Sequence, residues 1–167
     1  MRNIYLTGFM GTGKSTVSRY LHKNYGMKQL EMDEEIVRQE GRSIADIFAQ
    51  EGEEYFRTVE TKLLDCIGND QNLVVSCGGG TATRQYNVQK MKENGIIILL
   101  SASPKTVYER VKDNHDRPLL EGNMNVAYIA GLMEKRKAAY EAAADFTVVT
   151  DGRSAQEICQ EIMEKVM

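Results

Sequence analysis

A lysine and a serine that follow a run of small residues are the first residues in this chain whose types and spacing could do chemistry. Gly8 to Thr16 reads GFMGTGKST, with Gly8, Gly13, Lys14 and Ser15 at the fixed positions of G-x-x-x-x-G-K-[ST]. Small residues let successive backbone N–H groups turn inward around a phosphate, Lys14 reaches the outer phosphates, and the Ser15 hydroxyl can ligate Mg²⁺. The stretch predicts a cradle for the tail of a nucleoside triphosphate. It does not say what is done with the phosphate.

That question falls to the acids, glycines and arginines. Many such proteins hold Mg²⁺ with an acid ending a later buried strand, yet here the run Leu73 to Ser76 leads into Cys77 with no carboxylate. The acids Glu31, Asp33, Glu34 and Glu35 end the second strand instead, and ligands bind at the carboxyl ends of parallel strands. Asp33 is the candidate to accept a proton from an acceptor hydroxyl or hold it in line, with a plain helix N-terminal acid as the alternative. Gly78, Gly79 and Gly80 fit either a ligand's close approach to main chain or a tight turn. Arg57 and Arg136 each read as an anion holder or an ordinary surface arginine. Arg117, just before Pro118 in a polar segment, suits a loop that closes over a nucleotide and neutralises transition-state charge.

The elements that must position these groups alternate along the chain. Strands are predicted at Arg2 to Thr7, Met27 to Met32, Leu73 to Ser76, Ile96 to Leu100 and Phe146 to Thr150. Helices are predicted at Ser15 to Asn24, in two short pieces across Ile36 to Ala49 with a start at Ser43, and along Glu51 to Ile67 with Arg57 and Glu60 off the core face. Pro104 starts another helix, and Ala127 to Ala144 and Ser154 to Val166 complete the set. Lys112 to Asn123 is rich in turn formers and reads as a mobile connection. The order implies an α/β fold with a parallel, doubly wound sheet and helices on both faces.

With 167 residues and 42% hydrophobic content, one core and one domain over 1–167 are expected. A net charge of -3 gives no basic footprint for nucleic acid or anionic membrane, so the partner is a small molecule. No apolar run approaches a membrane span and no leader precedes the first strand, which predicts a cytoplasmic protein. Cys66, Cys77 and Cys159 read as reduced thiols in or near the core. His22 and His115 lack partners at zinc-ligand spacing, so the only expected metal travels with the nucleotide.

Taken in order, GFMGTGKST, the acid after the second strand, Phe56-Arg57 with Glu60, Gly78-Gly79-Gly80, Arg117-Pro118-Leu119-Leu120, and Arg136 with Tyr140 resemble shikimate kinase from about residue 4 to residue 153. The resemblance implies a three-layer P-loop kinase fold with a five-stranded sheet, a substrate region at about 31–60 and a lid at about 112–123. It implies ATP and Mg²⁺ as cofactors, shikimate as acceptor, and a monomer. By resemblance, Arg57 and Arg136 hold the shikimate carboxylate, Asp33 engages the hydroxyls as base, and Gly78, Gly79 and Gly80 line the ring. Gly11, Thr12, Gly13, Lys14, Ser15 and Thr16 would bind ATP phosphates with Ser15 on Mg²⁺, Arg117 would close from the lid, and Arg110 and Arg153 would flank adenine. Two departures stand out: Glu31 where the family usually has aspartate, and the small Ala82 after the glycines.

Overall fold

The computed structural model describes residues 1–112 and 125–167. Arg117 and nearly all of the segment expected to act as a lid lie outside the described residues. The strands β1 (Asn3–Thr7), β2 (Lys28–Glu31), β3 (Leu73–Ser76), β4 (Gly95–Ser101) and β5 (Phe146–Val149) form one parallel sheet in the order β2-β3-β1-β4-β5. The helices are α1 (Lys14–Tyr25), α2 (Met32–Glu40), α3 (Ile44–Glu51), α4 (Glu53–Cys66), α5 (Gln85–Asn94), α6 (Pro104–Val111), α7 (Val126–Ala143) and α8 (Ala155–Val166).

Alternation along the central strands explains the two cores. Ile4, Leu6, Val74, Ile98 and Leu100 face α1 and α8, where they meet Val17, Leu21, Ile158 and Ile162. Tyr5, Val75, Ile97 and Leu99 point the other way, onto Met32, Ile36, Ile47, Phe56, Leu63 and Met91. A strand buried on both faces reads as a continuous apolar run, which is why β4 is GIIILLS.

Register then positions the site. Leu6 pairs with Ser76, and Ser76 with Glu31, so β1, β3 and β2 end level with one another. The phosphate-loop motif, the acids at 31 and 33, and the glycines at 78–80 therefore emerge along one edge of the sheet, at the carboxyl ends of its strands.

The structure differs from the sequence reading in four places, the first being Cys66, which is expected in or near the core but is exposed at the last position of α4. β2 stops at Glu31, and Met32 begins α2, because Met32 is fully buried in the helix-side core. Helix α5 was not foreseen, since QYNVQKMKEN offers only Val88 and Met91 as apolar markers. Glu60 was expected off the core face but is fully buried, held by partners described below.

Candidate active site

The loop between β1 and α1 is built for an anion. Gly13, with φ 104°, stands at the N-cap of α1, in a conformation a side chain would strain, and no described side chain caps the helix. The first turn also lacks acids, so its backbone N–H groups keep their partial positive charge. By contrast, α3, α6, α7 and α8 are capped by Ser43, Ser103, Asn125 and Ser154. Lys14 Nζ donates to the carbonyls of Gly8 and Phe9 at 2.6 and 3.2 Å. Thr12 is buried, its hydroxyl donates to Phe9 O at 2.7 Å and it does not line the cleft, whereas Thr16 is exposed and does.

Ser15 faces β2, where its hydroxyl donates to Glu31 Oε2 at 2.9 Å. A hydroxyl oxygen beside a carboxylate is a donor set that suits Mg²⁺, a cation usually held by one or two carboxylates plus substrate phosphates and waters. Among the described residues no group of three or more His, Cys, Asp or Glu could hold a metal ion.

Opposite the loop, each of the three consecutive glycines lies against polar side chains. A Cβ on Gly78 would lie 2.6 Å from Glu60 Oε2 and 3.1 Å from Asp33 Oδ1; one on Gly79 would lie 2.8 Å from Arg136 Nη1. One on Gly80 would collide with the Arg57 guanidinium. None of the three has a positive φ, so what they supply is room rather than an unusual turn.

The arginines are held, not loose. Arg57 Nη1 donates to Glu60 Oε1 at 2.7 Å, Nη2 to Glu53 Oε1 at 3.2 Å, and the guanidinium packs over the Phe56 ring at 5.3 Å. Its side chain is only 11% exposed, so the surface alternative does not hold. Glu60 also accepts from Thr81 Oγ1 at 2.7 Å. Burial pushes the Glu60 carboxyl above its ordinary value, with Arg57 pulling against it, while the adjacent carboxylates outweigh burial and keep Arg57 firmly charged. Arg136 lies 5.9 Å over the Phe9 ring and donates to the Tyr140 hydroxyl at 3.4 Å; that hydroxyl in turn donates to the Gly79 carbonyl.

One cleft of 720 Å³ is lined by Gly11, Gly13, Lys14, Ser15 and Thr16 at one end and by Asp33, Arg57, Gly78, Gly79, Gly80 and Arg136 at the other. Its size suits a small acid lying against a phosphate tail. Arg110 lines the same cleft and donates to Gly11 O at 2.9 Å. Arg153 does not line the cleft: only its backbone N–H donates to the Thr150 carbonyl that the Arg110 side chain reaches, and its guanidinium is bound to Val149 O and Glu161. Sequence reasoning missed Glu60 as a site residue. The signal was its spacing, because Phe56, Glu60, Leu63 and Leu64 share one face of α4.

Residues 10–167 match the sequence model of the shikimate kinase family. The chain belongs to that family. As a shikimate kinase family member it is an enzyme, an ATP-dependent kinase. A shikimate kinase of Persephonella marina is 45% identical over 166 residues, 99% of each chain. One from a Sulfurihydrogenibium species is 42% identical over 99% of this chain and 98% of its own. The solved shikimate kinase of Acinetobacter baumannii in complex with shikimate superposes with a TM-score of 0.93 at 34% identity, covering 99% of this chain and 93% of that one. A gluconokinase of Sinorhizobium meliloti, with a TM-score of 0.62 at 18% identity, shares the fold alone. The family and the parallel α/β fold expected from the ordered motifs are both borne out.

Proposed function

We propose that this enzyme transfers the γ-phosphoryl group of ATP to the 3-hydroxyl of shikimate, giving shikimate 3-phosphate and ADP. The observation that carries this reading is the single cleft shared by the phosphate loop, Asp33, Arg57 and Arg136. A small hydroxylated acid needs planar, paired donors at its carboxylate and an acceptor at its reacting hydroxyl. Arg57 and Arg136 grip the carboxylate from two sides, while Gly78, Gly79 and Gly80 let the ring lie close to the main chain. Asp33 takes the proton of the 3-hydroxyl as the oxygen attacks phosphorus, and the bond to the ADP oxygen breaks in line.

At the other end, backbone N–H groups from Gly11 to Thr16 hold the phosphates and Lys14 follows the charge that moves onto the leaving group. Ser15, with Glu31 behind it, would hold Mg²⁺, which supplies neutralisation of the β- and γ-phosphate oxygens. Arg110 and Arg153 flank the adenine, and Arg117 closes over the nucleotide from the segment 112–123 to exclude water. On this reading one domain, 1–167, acts as a cytoplasmic monomer on small molecules, with neither nucleic acid nor membrane as partner. Among the described residues no helix is long and apolar enough to cross a membrane.

A coupled assay that reads ADP formation tests the activity. Turnover with shikimate, and none with gluconate or a nucleoside monophosphate, is expected; ADP formation with gluconate but not shikimate would reassign the acceptor.

A further inference from the structure

Gln29 and Glu31 are two residues apart on β2 and project to one side of the strand, while Ser15 and Ser18 are three apart on α1 and share one helix face. The two faces meet, and they divide the Glu31 carboxylate between them. Oε2 accepts from the Ser15 hydroxyl at 2.9 Å. Oε1 accepts from Gln29 Nε2 at 2.9 Å and from the Ser18 hydroxyl at 2.5 Å. Gln29 Nε2 also donates to Ser18 Oγ at 3.0 Å, which occupies a lone pair and leaves the hydroxyl proton to be given away. That proton has two acceptors in reach, and the charged Oε1 is nearer than Ser15 O at 3.0 Å.

Resting on the reading that Ser15 and Glu31 hold Mg²⁺, we infer that Ser18 and Gln29 are positioning residues that clamp Oε1 and thereby aim Oε2 at Ser15. The sequence shows why a clamp is needed. A glutamate side chain turns about three bonds, and an unrestrained carboxylate would have to be ordered each time the metal binds. Here the ordering is built into the fold, since Ser18 is fully buried and β2 sets the position of Gln29. Groups that orient a metal-binding carboxylate commonly change metal affinity by about 10- to 100-fold.

The test is calorimetric titration of the full chain with ADP, with and without Mg²⁺, reading the ratio of the two dissociation constants. Ser18→Ala and Gln29→Leu should each leave the Mg²⁺-free affinity for ADP unchanged and lower the Mg²⁺ enhancement by about tenfold. In a Glu31→Asp background, whose shorter side chain cannot reach the clamp, the same substitutions should change the ratio less than about twofold, the non-additivity expected of groups acting through one carboxylate. Gln29 is partly exposed, so Gln29→Leu remains informative should the buried Ser18→Ala variant be unstable. If Glu31→Gln removes the enhancement while Ser18→Ala and Gln29→Leu keep it, the clamp is refuted and the metal reading stands. If Glu31→Gln itself leaves the ratio unchanged, the metal reading fails and takes the clamp with it.

Discussion

At the scale of single residues, the three glycines explain the site better than any charged group does. Each supplies space that polar side chains occupy, so adding a methyl group moves Glu60 or Asp33 at Gly78, Arg136 at Gly79 and Arg57 at Gly80. Gly80→Ala needs no change of backbone conformation, since φ is -101°, but its Cβ must push the Arg57 guanidinium aside. We expect the KM for shikimate to rise by about 10- to 100-fold, the loss of one charge-assisted hydrogen bond, with the KM for ATP little changed. Arg57→Ala and Arg136→Ala should show the same split, and steady-state kinetics with each substrate varied in turn decides it; equal rises in both constants would remove these arginines from the carboxylate. Asp33→Asn is expected to keep ADP affinity while kcat falls by about 10²- to 10⁴-fold, as for loss of a general base. Unchanged turnover would leave Asp33 as an acid that only complements the helix dipole.

At the scale of elements, the periodic helices and the apolar strands were legible and the polar helix was not. Ser43 could be read as a helix start because Asp46 follows three residues on, and Ser43 Oγ does accept from Asp46 N at 3.1 Å. Ser43→Ala should lower stability by about 1 kcal/mol, measurable as a shift in the urea midpoint, since a capped N–H loses its partner. Helix α4 shows how residue type can mislead. Its apolar stripe is plain in the sequence, yet the polarity of glutamate at position 60 points outward, although the residue lies on the same face as Phe56, Leu63 and Leu64. Burial became possible because Arg57 and Thr81 occupy both of its oxygens, and Thr81 comes from a segment distant in sequence. Helix α5 was hidden for the opposite reason: it is mostly polar and buries Asn87, whose amide bonds Thr81 O and Thr61, beside Met91. Composition along the chain cannot register partners that only the fold brings together.

At the scale of the whole molecule, the burial of Glu60 makes global stability depend on pH in a direction that can be worked out. Burial is the main influence and raises its pKa, with the nearby Asp33 adding to the rise and Arg57 and Thr81 opposing it. A folded-state value above the ordinary 4.5 means that the native protein binds the proton more tightly than the unfolded chain does. The stability this contributes is complete below pH 4.5 and is lost as pH rises through the folded-state value. Glu35, Glu40 and Asp151 shift the opposite way, lowered by Arg38, by Arg42 and by Thr106 respectively, so the stability they add is lost only as pH falls below their ordinary values. The two effects therefore occupy different pH ranges. Urea unfolding followed from pH 4.5 upward should show a smaller fall in stability for Glu60→Gln than for the parent, even though the variant is less stable overall because Arg57 loses a buried partner. Parallel pH profiles for parent and variant would mean that the Glu60 carboxyl titrates alike in folded and unfolded chains, with the pull of Arg57 cancelling the effect of burial.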